Sequence, residues 1–437
     1  MSENNWREIY REKLTTPEEA VKCVKSGDDV YIGTASSTAY GLCRALGERT
    51  EKLHNVRLCC ANLGKPLRIF QEPEHFSILT YFMGPMERKA QPQGNVDYTS
   101  VHLSQNEIWC RETCPPDVAF MEVSLPDDYG YCSFGASGVA LSSYLLKTDC
   151  KVVLQVNRHV PYTYGEENLI HVSEADYIVE YDEELFEVGN IEKTHEVELI
   201  SNYILDRIPD ASCLQLGIGG IANAVGFGLK DRNDLGVHTE MMNDALAFLI
   251  KNGNVTNKYK GNYKGKSVAT FSLGTKDMYQ FLDHNPDIYF LPYHKVNRPS
   301  VIAANDHMVS VNGCISLDLT GQVVADNIAG RQFSGVGGQL DFVQGAQMAR
   351  HGQSFIAATS VNVSKKTGAV NSRIVSRFPT GTRITTPSSE VQYVVTEYGC
   401  VNLKPLSMKD RVRAMISLAH PDFRDQLRDE AKEMGLL

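Results

Sequence analysis

Leu216-Gly217-Ile218-Gly219-Gly220, followed by Leu235-Gly236-Val237-His238-Thr239-Glu240-Met241, decides the fold class of this 437-residue chain. The first stretch reads as a glycine turn closing an apolar strand over 212–217. Through Ala222 it fits G-x-G-x-x-G/A, and a helix follows it. Bare glycine amides let a phosphate approach the backbone, and the helix N-terminus favours its negative charge. The second stretch is a short apolar run that ends in one carboxylate, where a parallel strand would stop. Strand, glycine turn, helix and strand together make a βαβ unit.

The first half repeats this grammar. A helix is expected over 17–26, then a strand over 29–33 ending in glycine. Small residues follow over 34–38, then a helix over 39–51 and a strand beginning at 53–58. In the second half a helix is expected over 196–206, the strand over 212–217, a helix to about 230 and the strand over 235–239. Aligning 46–56 with 229–237 puts the first-half counterpart of Glu240 near Cys59, so the acid is peculiar to the second half. The chain therefore reads as two related open α/β domains, 1–188 and 189–437. The break is placed in Tyr181-Asp182-Glu183-Glu184-Leu185-Phe186-Glu187-Val188-Gly189, as a solvated acidic connection. Further on, 353–359 and 391–396 read as buried strands, and 408–437 as two helices divided by Pro421.

Composition narrows the function classes. The length exceeds one ordinary core, and 42% apolar with 22% charged residues is the balance of a soluble globular protein. A formal charge of -10 argues against a general nucleic-acid binder but leaves room for a local basic pocket around a polyanionic ligand. No apolar run approaches the roughly 20 residues of a membrane span, and the N-terminus lacks the features of a signal peptide. The expectation is a cytoplasmic protein with neither membrane nor nucleic acid as partner. Eleven cysteines without framework spacing read as reduced thiols. Cys59-Cys60 and the Cys110/Cys114 pair are too isolated for a metal site.

Glu240 is the candidate catalytic residue. A glutamate there can also be a helix cap, an ion-pair partner or the ribose-binding acid of a dinucleotide domain, about twenty residues beyond the turn. The turn alone fits a nicotinamide cofactor and other phosphorylated ligands alike. A second glycine cluster favours acyl chemistry: Phe333-Ser334-Gly335-Val336-Gly337-Gly338-Gln339-Leu340-Asp341-Phe342 offers backbone amides for an oxyanion, with an aromatic at each end to anchor it. Met241-Met242 supplies an apolar wall, and burial raises the free energy of a carboxylate and sharpens it as a nucleophile. His238 reads as a packed core histidine. The segments 156–161 and 170–174 fit ligand contacts and ordinary packing or capping about equally well. Lys365, Lys366, Arg373 and Arg383 read as a solvated face, and Cys110 and Cys114 as plain thiols.

Five ordered stretches carry a resemblance over nearly the whole chain. Besides Leu216–Gly220, Gly236–Met241 and Ser334–Phe342, they are Tyr393-Val394-Val395-Thr396-Glu397-Tyr398-Gly399 and Ala419-His420-Pro421-Asp422-Phe423-Arg424. On these the chain resembles the class I coenzyme A transferases of the acetyl-CoA hydrolase/transferase family, and within it the 4-hydroxybutyrate and butyrate:acetate enzymes. The resemblance implies two related α/β domains packed together with the active site between them, and CoA held mainly by the second. It implies that Glu240 becomes a covalent glutamyl-CoA thioester. Gly217, Ile218, Gly219, Gly220 and Ile221 then form the CoA-binding loop, with Gly338, beside Gly337, a further contact. The implied substrates are acyl-CoA and short-chain acids such as acetate, with no permanently bound cofactor, no metal and a homodimeric assembly. Where some 4-hydroxybutyrate enzymes carry Ala-Ile-Pro-Asp-Ala-Val, this chain has Gly220-Ile221-Ala222-Asn223-Ala224-Val225, a difference that bears on substrate rather than chemistry. The competing readings are a butyryl-CoA:acetate enzyme, an acyl-CoA hydrolase on the same scaffold, an NAD-dependent oxidoreductase and a non-catalytic CoA sensor.

Overall fold

The computed structural model describes residues 5–145, 147–189, 194–364 and 366–437; Lys365 lies outside them. By packing, the chain divides into one unit of Met1–Gly189 with Val268–Val296, and a second of Asn190–Ser267 with Asn297–Leu437. The segment Val268–Val296 thus groups with the first unit, although nothing in its composition marks a change of domain.

The first unit is built on eight parallel strands. In spatial order they are Leu14–Thr15, Tyr177–Glu180, Lys151–Val156, Val118–Val123, Asp29–Ile32, Val56–Cys60, Phe76–Thr80 and Val96–Tyr98. Every residue of Val118–Val123 is buried, as expected of a central parallel strand covered on both faces. Phe76, Phe120, Leu42, Leu46 and Leu58 fill the core, each large apolar side chain contributing roughly 1.5–3 kcal/mol of burial.

The second unit has six strands, ordered Gly236–Val237, Cys213–Leu216, Met308–Gly313, Gln353–Ala357, Tyr393–Thr396 and Gly399–Asn402. All pairs are parallel except the closing hairpin of Tyr393–Thr396 with Gly399–Asn402. The two C-terminal helices are Met408–Leu418 and Pro421–Glu433. Ser407 caps the first, His420 caps the second, and Pro421 takes the first helical position. Met415, Leu418, Leu427 and Ala431 pack with Ile356 and Val394 of the sheet.

In both sheets the chain reverses its direction of growth beside a central strand. From Asp29–Ile32 it runs outward to Val96–Tyr98, then resumes on the other side at Val118–Val123. From Cys213–Leu216 it runs to Gly236–Val237, then resumes at Met308–Gly313. Such switch points open a crevice beyond the carboxyl ends of the strands, where ligands of open α/β sheets bind. The registers also correct the alignment of the halves. Asp29 pairs with Arg57 and Cys213 with Gly236. Counting four residues on from each partner places Ala61, not Cys59, opposite Glu240.

Two expectations fail in the first unit. Cys59 and Cys114 form a disulfide, with Cα atoms 7.0 Å apart, so not all cysteines are free thiols. Their separation of 55 residues follows no motif that spacing could reveal. Asp29 lies close to both sulfurs, but its carboxylate is engaged by Arg57 at 2.5 and 2.6 Å, so the group is not an open ligand set. The acidic stretch is likewise not a freely solvated connection. Glu183 pairs with Arg44 at 2.5 Å and Lys65 at 2.6 Å, Asp182 with Arg158 at 2.6 Å, and Glu184 with Lys276 at 2.5 Å. Arg44, then Lys65, hold the Glu183 carboxyl down at about 2 against its burial.

A carboxyl depressed in the folded state stabilises it above its unfolded pKa and loses that contribution as pH falls toward the folded value. Glu183→Ala is expected to cost about 1 kcal/mol near pH 7, in the range for partly exposed pairs. The difference from wild type should shrink as pH drops through the window from 4.5 toward 2. Thermal unfolding of both proteins across that window measures it.

Candidate active site

The strand leading to Glu240 is shorter than its sequence suggests: Gly236–Val237 pairs with Cys213–Leu214, and the chain then bends. The bend is held from both sides. The Val237 N–H donates to Asn257 Oδ1 at 2.9 Å, and the Thr239 hydroxyl donates across Glu240 to the Met241 carbonyl at 3.1 Å. A buried ammonium completes the clamp. Lys260 Nζ donates to the carbonyls of Val237 and Lys266, each at 2.7 Å. Burial pushes its pKa down to about 8, since an ammonium without a carboxylate partner is disfavoured away from water. Asn243 then caps the helix Asp244–Lys251.

The Glu240 carboxylate meets neutral partners. Asn297 Nδ2 donates to Oε2 at 2.7 Å. Gly338 lies so close that a Cβ on it would fall 2.0 Å from the same oxygen and 2.3 Å from Asn297 Nδ2. Gly337, with φ 60°, turns the chain into Gly338 and the helix Gln339–Met348. Burial raises the Glu240 pKa to about 7; the charge of Asp341 adds to the rise, while the Asn297 side chain and the Gly338 amide oppose it. The residue nevertheless keeps part of its surface accessible. His238 is fully buried with its ring 6.3 Å from that of Phe342, consistent with a core histidine. Of the two aromatics bracketing the second glycine cluster, Phe342 is buried but Phe333 is 41% exposed. Backbone bonds from Phe333 and Ser334 to the Asp326 carbonyl, both 2.9 Å, hold that end instead.

At the switch point of the same sheet lies a cleft of about 160 Å³. Ile218, Gly219, Gly220, Ile221 and Ala222 line it, with Asn312, Gly313 and Cys314 at the end of one neighbouring strand and Ala357–Thr359 at the end of the next. Gly217 itself packs between strands, its N–H donating to the Val311 carbonyl at 2.8 Å. Gly219 adopts φ 125° and ψ 173°, a region closed to residues with a Cβ, and so starts the helix Gly220–Gly228 with free amides toward the cleft. Asn312 and Gln215 exchange amide hydrogen bonds at 3.1 Å and fix the cleft floor. Arg373 lines it as well, its guanidinium held by the Ile315 carbonyl at 3.0 Å. The expectation of a solvated face fails for this arginine, because strand pairing of Ile374 with Leu317 brings it in. Burial pushes the Cys314 thiol up to about 12, which removes it as a nucleophile.

The site thus gathers Ile218, Gly219, Gly220 and Ile221 around one cleft and sets Gly338 against Glu240. Asn297 escapes sequence reading. It stands 57 residues beyond its partner in an irregular stretch, and no motif marks it.

Comparisons with known proteins assign the family. The family model of the acetyl-CoA hydrolase/transferase N-terminal domain matches residues 1–188, and that of the C-terminal domain matches residues 274–431. The chain is 38% identical to the 4-hydroxybutyrate coenzyme A transferase of Clostridium kluyveri, over 98% of this chain and 99% of that protein. It is 37% identical to the butyryl-CoA:acetate CoA-transferase of Anaerostipes caccae, over 98% of each. The crystal structure of RipA from Yersinia pestis superposes with a TM-score of 0.94 at 38% identity, covering 99% of this chain and 100% of that one. The chain belongs to the acetyl-CoA hydrolase/transferase family.

Two outcomes follow from the geometry at Glu240. If its carboxylate is the reacting form, turnover falls as pH drops through about 7, by about tenfold per unit well below it. Asn297→Ala removes a bond to the charged form and should move that limb upward by about one unit, a bond to a charged group being worth ~1.5–3 kcal/mol. A pH–rate profile of both proteins decides. Gly338→Ala drives a methyl into the carboxylate and should cost about a hundredfold in kcat with little change in Tm. Near-normal kcat in that variant would show that Glu240 need not stay where it is.

Proposed function

We propose that this member of the family is a CoA-transferase that moves CoA between a short-chain acyl-CoA and a carboxylic acid such as acetate, with 4-hydroxybutyrate as the partner acid, through a glutamyl-CoA thioester on Glu240. One observation carries the reading: the Glu240 carboxyl is enclosed, partnered by the Asn297 amide, and raised to about 7 chiefly by burial. A carboxylate salt-bridged to an arginine would be stabilised and blunted. With its pKa raised to about 7, this one is shared between its charged and neutral forms at neutral pH and is poorly solvated, and its charged form is the one a nucleophile needs.

In the proposed sequence, a Glu240 oxygen attacks the thioester carbonyl of the acyl-CoA. Collapse expels the CoA thiolate and leaves an acyl-glutamyl anhydride. The thiolate attacks the Glu240 carboxyl carbon, the acid departs as its carboxylate, and a glutamyl-CoA thioester remains. A second carboxylate attacks that thioester and the steps reverse. Asn297 Nδ2, aimed at Oε2, is placed to follow the charge on that oxygen, and Gly338 leaves it room. The cleft at Gly219–Ala222, with its helix N-terminus and Arg373, is the proposed seat of the CoA moiety. The overall reaction exchanges one thioester for another, with the anhydride as a transient intermediate, so the reading includes no nucleotide triphosphate, metal or resident cofactor. Water has to be kept from the acyl intermediates, or transfer turns into hydrolysis.

Incubation with acetyl-CoA followed by borohydride should give a peptide carrying a reduced Glu240, and Glu240→Gln should abolish both label and turnover while still binding CoA. An unlabelled Glu240 in a turning-over enzyme would rule the mechanism out. CoA release at equal rates with and without an acceptor acid would reassign the protein as a hydrolase.

A further inference from the structure

We infer that Glu397 is a positioning residue for the cleft of the second unit: its carboxylate holds Ser360, and through Ser360 it sets the Arg373 guanidinium to take a phosphate of the acyl-CoA. The inference deepens the CoA-transferase reading and rests on it for the identity of the ligand. That reading seats CoA in the cleft and gives the stretch Tyr393–Gly399 no part.

Glu397 directly follows the strand Tyr393–Thr396 and stands in the turn to Gly399–Asn402. The parallel partner strand, Gln353–Ala357, runs on into Ala358, whose N–H donates to the Val395 carbonyl at 3.1 Å. Ser360 comes two residues later and is fully buried. Both of its donors meet the one carboxylate. The backbone N–H gives to Glu397 Oε2 at 2.8 Å and the hydroxyl to Oε1 at 2.5 Å. The Ser360 carbonyl accepts in turn from the Arg373 N–H at 2.8 Å, at the base of the hairpin of Val361–Val363 with Val370–Ser372. On the other side, the Arg373 carbonyl takes the Leu317 N–H and the Ser316 hydroxyl, each at 2.8 Å.

The backbone of Arg373 is thus fixed from two directions, while its side chain keeps donors to spare. Its guanidinium gives to the Ile315 carbonyl at 3.0 Å and the Val361 carbonyl at 3.4 Å. Among the described residues its other N–H groups reach no acceptor, and no carboxylate pairs with it. Among the described residues lining the cleft, it alone carries a charge. A planar guanidinium with a free pair of donors matches two oxygens of a phosphate. Glu397 serves that cation without touching it. A carboxylate bonded to the guanidinium would fill the place of the anion, whereas one bonded to Ser360 fixes the arginine and leaves its charge uncompensated.

The quantity to measure is the preference for acetyl-CoA over acetyl-pantetheine, as the ratio of their kcat/KM. Acetyl-pantetheine keeps the thioester and the pantetheine arm and lacks every phosphate. Arg373→Met should lower the ratio by at least about tenfold, a charge-assisted bond being lost. Glu397→Ala should lower it by about tenfold, and adding it to Arg373→Met should lower it no further, because the two act as one unit. Glu397→Gln should keep the ratio within about threefold of wild type. Its amide oxygen can accept from the Ser360 N–H while its NH2 gives to the hydroxyl, which can reverse its role. Ser360→Ala, which deletes the hydroxyl bond alone, should lower the ratio about threefold and holds the test open if Glu397→Ala fails to fold. Equal losses on both thioesters would show that Glu397 serves the fold alone and would overturn the inference. Losses that add in the double variant, an inactive Glu397→Gln or an unmoved ratio in Ser360→Ala would overturn it as well. Calorimetry of CoA binding separates this inference from the reading beneath it. A wild type that binds CoA, weakens in Glu397→Ala and transfers no CoA would sink the transferase reading and leave this one standing.

Discussion

The carboxylate of Glu240 rests against an amide and a bare Cα, and no cation is among the groups that act on it. A guanidinium in the same place would lower its pKa. Neutral donors let burial dominate, and Asp341 pushes the same way. Much of the second unit follows from keeping that group in place. Gly338 has no side chain because the oxygen occupies the space. Thr239 and Asn257 pin the bend, and Lys260 gives its protons to backbone carbonyls on either side of the clamp. Burying that ammonium is costly, and here the cost maintains the path of the chain three residues before Glu240.

The two sheets share a plan and differ in chemistry. Each opens a crevice beside its central strand, where the direction of sheet growth reverses. In the second unit the crevice is floored by glycine amides, a helix N-terminus and an arginine, a set suited to phosphate and amide groups. In the first unit hydroxyl-bearing residues take the place of the glycines: Thr34, Ser36, Ser37 and Thr38 follow the strand, and Ser36 bonds Ser137 at 2.6 Å. One backbone plan therefore presents charge-seeking groups in one copy and neutral hydrogen bonding in the other. Ala61 opposite Glu240 is the same divergence at a single position.

Features fixed by neighbours in sequence were legible. The glycine turn, its helix and the paired C-terminal helices around Pro421 depend on local propensity and periodicity, whereas Glu240 lies three residues past its strand, in a bend that the apolar run did not show. What stayed hidden depends on distant partners. Asn297 carries no local signal, and the cations that hold the acidic stretch stand 139 and 118 residues from Glu183. Lys260 runs against the strong tendency of lysines to stay at the surface, and Arg373 reaches its cleft only through strand pairing that spacing does not encode. Phe333 misled for the opposite reason: an aromatic beside a glycine loop suggests an anchor, but backbone bonds do that work here.

The excursion of Val268–Val296 into the first unit has a bearing on how such a chain can be cut or inherited. The polypeptide passes from one unit to the other at three points, so no single break in the backbone yields two complete halves. A fragment ending at Gly189 lacks a strand pair of its own unit, and one beginning at Asn297 lacks the glycine turn and Glu240. The present arrangement ties the two sheets into one heritable piece that truncation or domain exchange at a simple junction would spoil.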